Sequence, residues 1–132
     1  MDITVTHEQG RVPVAVLHVA GKTDSASAEK LQEKAMEVID GGARHMIFDL
    51  DKVPYMSSAG LRVLQEVFNK LRALSSTESD KDTYRGIADG SYQLPNLKIA
   101  NPTPEVLEVL KMSGFDMLVS IEKDLEKALA SI

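Results

Sequence analysis

Two adjacent hydroxyls, Ser57 and Ser58, stand ahead of a helical pattern that begins near Ala59. They lie within Asp49-Leu-Asp-Lys-Val-Pro-Tyr-Met-Ser-Ser-Ala-Gly-Leu-Arg62. The first N–H groups of a helix lack intrahelical acceptors and carry the positive end of its dipole, so anionic oxygen is favoured beside them. Ser58 is read as the residue that caps this helix, at a position where a phosphate is also tolerated. A plain cap is the simplest role for such a serine and is worth about 1 kcal/mol. A side chain that can be a neutral cap or a dianion in one place is also a candidate switch.

Asp24 stands in the same relation to a second helical pattern, where a carboxylate is a natural cap. Arg62, read on the first turn of its helix, is at the unfavourable end for a cation, which leaves it to serve a partner's carboxylate. Gly21-Lys-Thr has the ending of a phosphate-binding loop, but that loop needs a glycine five residues earlier, and position 16 is Val. His7, His18 and His45 are dispersed, and neither a G-x-S-x-G elbow nor an H-E-x-x-H pair is present. Asp49 and Asp51 flank a strand end and read as solvated loop charges. Nothing in the chain reads as an enzyme active site, and no cofactor or metal is implied.

The elements that must position these groups follow from periodicity. Ile3, Val5 and His7 alternate as a half-buried strand does, and Val12 to Val19 is a second strand beyond a Gly10-Arg11 hairpin turn. Ala28, Leu31, Ala35, Val38 and Ile39 mark a helix over about 25–40, ended by Gly41-Gly42. His45 to Leu50 reads as a buried parallel strand. Leu61, Leu64, Phe68, Leu71 and Leu74 stripe the next helix. Leu97 to Ala100 is a strand, Thr103-Pro104 opens a helix that stops at Gly114, Met117 to Ile121 is a short strand, and Glu122 to Ala130 a closing helix. Strands alternating with helices imply an α/β fold with a mixed sheet.

Composition narrows the function classes. The 132 residues suit one domain with one core. Hydrophobic content of 43% and charged content of 27% are those of an ordinary globular protein. A net charge of −5 without Trp argues against a nucleic-acid surface. Cysteine is absent, which excludes disulfides and thiolate catalysis. No stretch reaches a membrane span, and the amino terminus lacks a basic, apolar leader, so a cytoplasmic location is expected.

Tyr55-Met-Ser-Ser-Ala-Gly-Leu-Arg62 resembles the central signature of STAS domains, in the branch of the bacterial anti-sigma factor antagonists. Leu17-His-Val-Ala-Gly-Lys-Thr-Asp24 and Asn101-Pro-Thr-Pro-Glu-Val-Leu, followed by Ser113-Gly-Phe, match two further segments in the family's order. The resemblance implies a single STAS domain over 1–132, with a mixed sheet of four to five strands and about four helices packed mainly on one face. It implies a phosphorylation-controlled switch that binds an anti-sigma factor serine kinase while Ser58 is unphosphorylated, so freeing a sigma factor, with a phosphatase to reset it. The modified serine of that family stands two residues before the signature glycine, Gly60 here, which gives Ser58; Ser57 is the fallback. Asp24, Ser57, Ser58, Gly60 and Arg62 are then the partner-binding set.

Two departures stand out. Ser57 replaces the acidic residue common in those antagonists. The polar stretch 75–95 is longer than the family's usual turn and reads as a mobile insertion, with Tyr84 and Tyr92 as alternative partner anchors. Both leave room for a STAS subunit that docks in a transport or stress-signalling assembly without phosphorylation.

Overall fold

A computed structural model describes residues 1–75 and 93–132 of the chain. Strands β1 (Asp2–Gln9) and β2 (Pro13–Ala20) form the expected hairpin, in register from Asp2 opposite Ala20 to Gln9 opposite Pro13. Helix α1 (Ser25–Asp40), strand β3 (Met46–Lys52) and helix α2 (Ser58–Leu74) follow. Strand β4 (Leu97–Ala100), helix α3 (Pro104–Met112), a 3-10 turn (Phe115–Met117), strand β5 (Ser120–Glu122) and helix α4 (Leu125–Ala130) complete the chain. The five strands lie in the order β1-β2-β3-β4-β5, the first pair antiparallel and the others parallel.

That order explains where the helices go. Crossovers of one hand that all step in one direction across a sheet leave their helices on one face. Ala15, Leu17 and Val19 of β2, Phe48 and Leu50 of β3 and Ile99 of β4 share a buried cluster with α1, α2 and α3. The intervening positions Val14, Val16, Ile47 and Ala100 point to the other face, where Ala128 of α4 covers them with Leu125 and Leu129 beside it. The apolar character of β2 on both sides of its period is thus a consequence of a sheet covered twice.

Four sequence expectations are corrected. The last strand is Ser120–Glu122 rather than 117–121, because Phe115 is anchored in the core and closes a turn in which the Leu118 amide donates to the Phe115 carbonyl at 2.9 Å. The closing helix starts at Leu125, where Asp124 caps it by accepting from the Lys127 amide. The buried stripe of α2 is Gly60, Val63, Leu64, Val67, Phe68 and Leu71, so Leu61 lies at its margin and Leu74, at the helix end, is 43% exposed. Strand β3 runs on to Lys52, which puts Asp49 inside the sheet. The insertion read at 75–95, with Tyr84 and Tyr92, falls for the most part outside the described residues.

Candidate functional site

After β2 the chain turns at Gly21, whose φ of +112° is a conformation that side chains other than glycine rarely adopt. Its amide donates to the Lys52 carbonyl at 2.9 Å. The Thr23 amide then donates to Tyr55 at 2.9 Å, and the Ser57 amide to Thr23 at 2.8 Å, which makes Thr23 and Met56 a parallel bridge. One residue beyond each bridge partner is a helix cap, Asp24 for α1 and Ser57 for α2. One residue further, at Ser25 and Ser58, each helix begins. A two-residue bridge therefore sets the two helix starts side by side.

The cap is a correction to the sequence reading. Ser57, held extended by the bridge, accepts from the Gly60 amide at 3.4 Å, so it is Ser57 that caps α2. Ser58 is the first helical residue and is exposed. Its hydroxyl is left out of the cap. Arg62 is consequently one full turn into α2 rather than on its first turn, where the dipole acts less strongly against a cation.

Between the two helices lies an open groove of about 310 Å³. Ser58 and Arg62 line it from α2; Ser25, Glu29 and Gln32 line it from α1. Gly60 is buried, against Thr23. The STAS domain model matches residues 4–77, which contain most of the hairpin, both helices and this groove. The chain belongs to the STAS domain family.

Among its relatives, the putative anti-sigma factor antagonist BtrV of Bordetella bronchiseptica is 32% identical over 111 residues, covering 84% of this chain and 79% of that one. The crystal structure of an anti-sigma factor antagonist from Mycobacterium paratuberculosis superposes with a TM-score of 0.72 at 21% identity, over 99% of this chain and 94% of that one. The phosphorylated form of the Bacillus cell fate determinant SpoIIAA has the same fold, with a TM-score of 0.64 at 16% identity and 96% of each chain covered.

Within this STAS domain the five residues singled out by sequence have three structural roles. Ser58 and Arg62 line the groove. Ser57 and Gly60 do not line it but set the start of α2, Ser57 as its cap and Gly60 packed against Thr23. Asp24 does not line it; its carboxylate accepts from the Ser27 amide and the Ser27 hydroxyl, both at 3.0 Å, closing a reciprocal capping box. These hydrogen bonds from Ser27 hold the Asp24 carboxyl below its ordinary value of 3.8. A depressed carboxyl stabilises the folded state above the unfolded value and loses that effect as pH falls through the folded one. The stability difference between wild type and Asp24→Ala is therefore expected to be constant above about pH 5 and to shrink below about pH 4. Asp24→Asn, which keeps an acceptor, should lie between them. Urea midpoints measured across that pH range test this.

Thr23 deserves a separate test. Its hydroxyl is fully buried at the bridge and has no hydrogen-bond partner among the described residues. An unpaired buried hydroxyl costs about 1–3 kcal/mol, so Thr23→Val, which keeps the branched shape against Gly60, should raise stability by about 1 kcal/mol. A lower urea midpoint in Thr23→Val would contradict that.

Sequence reasoning missed three things. Ser25, Glu29 and Gln32 recur at steps of four and three beside the apolar stripe of α1, a pattern that could have marked them as one face. Asp49 is no loop charge: it is 8% exposed and accepts from His18 Nδ1 at 2.9 Å. Because the carboxylate only accepts, Nδ1 carries the hydrogen, and His18 Nε2 shares a second hydrogen bond with the Thr6 hydroxyl at 3.0 Å. The Asn101 side chain, on a residue with φ of +56°, donates to the other Asp49 oxygen at 3.3 Å. This network ties β1, β2 and β3 to the end of β4, on the sheet face opposite α1 and α2. Among the described residues, no helix is long and apolar enough to cross a membrane.

Proposed function

We propose that this STAS domain is an anti-sigma factor antagonist whose partner is an anti-sigma factor with serine kinase activity. In the unphosphorylated state the groove between α1 and α2, with Ser58 at its edge, is the face the partner covers. That capture frees a sigma factor. Transfer then occurs at Ser58: Oγ attacks the γ-phosphorus of ATP held by the kinase, a new Oγ–P bond forms, and the bond to the β,γ-bridging oxygen breaks. ADP leaves, and the hydroxyl proton passes to a base of the kinase. A phosphatase restores the serine by hydrolysis. The antagonist contributes the acceptor hydroxyl and its position; the nucleotide belongs to the partner.

The observation that carries this reading is the division of labour between the two serines. Ser57 is half-buried and engaged as the cap, whereas Ser58 is exposed and unused by the cap. A kinase can reach Ser58 without dismantling the helix. The names of the relatives support the same role, and the solved phosphorylated form of SpoIIAA supports phosphate being compatible with this fold. Asp24 contributes by fixing the start of α1, and hence Ser25 and Glu29 at the groove.

The test is intact mass with peptide mapping after incubation with an anti-sigma kinase and ATP. One phosphate at Ser58, lost in Ser58→Ala, is the expected result. Modification at Ser57 instead would move the acceptor by one residue. No modification, together with a partner that binds Ser58→Asp as tightly as wild type, would favour a docking subunit that uses the same groove without phosphate. The acidic residue missing at position 57 is what keeps that second reading in view.

A further inference from the structure

We infer that Arg62 receives the phosphate of phosphorylated Ser58 within the same molecule, so that modification withdraws a cation from the groove as well as adding a dianion. The inference rests on Ser58 being the acceptor. The two residues stand four apart on α2 and line the same groove, both exposed. Residues so spaced are neighbours on a helix, with Cβ atoms about 5–6 Å apart. Direction matters as much as spacing. Helical side chains lean toward the amino end, so the long arm of Arg62 lies back over the turn that carries Ser58.

Among the described residues Arg62 is in no ion pair. Lys34 pairs with Glu37 and His18 is hydrogen-bonded to Asp49, and neither contact involves Arg62. The other charged side chain lining the groove is Glu29, from α1, which opposes a phosphate. Asp24, at the cap of α1, is held by Ser27. A guanidinium binds phosphate through two parallel N–H donors, which makes Arg62 the side chain suited to offset Glu29 and hold the dianion.

The consequence for switching is twofold. Before modification Arg62 is available to a carboxylate of the partner. Afterwards it is turned back onto Ser58, and the partner loses a cation and meets a dianion. An aspartate at position 58 is shorter and carries one charge, so it should engage Arg62 less well than phosphoserine does.

The experiment is a phosphorus NMR titration of full-length protein carrying phosphoserine at position 58, installed during translation so that no kinase is needed. A neighbouring cation favours the dianion, so the second phosphate ionisation should lie lower in wild type than in Arg62→Gln, by about half a pH unit. Arg62→Lys should recover part of the difference. Glu29→Gln should move the ionisation down, opposite in sign to Arg62→Gln. Added salt should narrow the gap between wild type and Arg62→Gln. Superposable titrations of wild type and Arg62→Gln would overturn the contact. Failure of a kinase to modify Ser58 would overturn the reading beneath it and would leave the titration unaffected, so the two failures are distinguishable.

Discussion

Ser58→Asp is expected to weaken binding of the anti-sigma kinase by about 30- to several-thousand-fold while leaving the domain folded. Two effects of the same charge compete, and their magnitudes decide the outcome. Within the isolated domain, an anion on the first turn of α2 interacts favourably with the helix dipole, by about 0.3–1 kcal/mol. At an interface that covers the groove, an unpaired charge is stripped of water, which costs about 2–5 kcal/mol. At 1.4 kcal/mol per factor of ten, the second effect gives the stated range and exceeds the first. Titration calorimetry against the kinase and a thermal melt of the antagonist alone separate them. Affinity should collapse while the melting temperature holds or rises slightly. Ser58→Ala should bind like wild type, because the hydroxyl takes no part in the cap. Equal affinities for Ser, Ala and Asp at this position would mean that the partner does not cover Ser58.

The groove was only partly legible in the sequence, and the reasons are physical. Helix α1 could be bounded at both ends because its signals are local: apolar steps of three and four, Asp24 ahead of them and Gly41-Gly42 behind. The start of α2 was misjudged by one residue, because either serine satisfies the local rule for a cap. What selects Ser57 is the pairing of Thr23 with Met56, a contact between residues 33 positions apart that no local rule encodes. Asp49 was missed for a related reason. Met46-Ile-Phe-Asp-Leu looks like a strand followed by a charged loop until its register is known, and only the pairing of His18 with Asp49 across two parallel strands reveals a hydrogen-bonded carboxylate. The family signature carried what periodicity could not, namely that 17–24 and 55–62 belong to one surface. Even so, it did not indicate that Asp24 is spent on a capping box, or that Ser25 and Glu29 line the groove in its place.

Gly60→Val should be the most damaging single substitution at the site, and Gly60→Ala a milder version of it. A Cβ at position 60 would lie 2.8 Å from Thr23 Cγ2, 2.9 Å from Thr23 Cβ and 3.0 Å from Met56 Cγ. Thr23 cannot move aside, because it is fully buried and its backbone is fixed to both Tyr55 and Ser57. The helix must give way instead. Two effects oppose each other for alanine: overpacking costs about 1–3 kcal/mol, while replacing glycine inside a helix returns up to about 1 kcal/mol. A net loss of about 1–2 kcal/mol is expected for Gly60→Ala, and more for Gly60→Val, whose added methyls bring no comparable propensity. Chemical denaturation gives the size, and a double-mutant cycle gives the cause. Thr23→Ala removes the nearest atom, so Gly60→Ala should cost less in that background than alone. If the costs simply add, the contact with Thr23 Cγ2 is not the origin of the loss. Binding offers a second readout with its own logic. Moving α2 away from Thr23 displaces Ser58 and Arg62 relative to Glu29, so a folded Gly60→Ala protein should be a poorer kinase substrate even though its acceptor serine is intact.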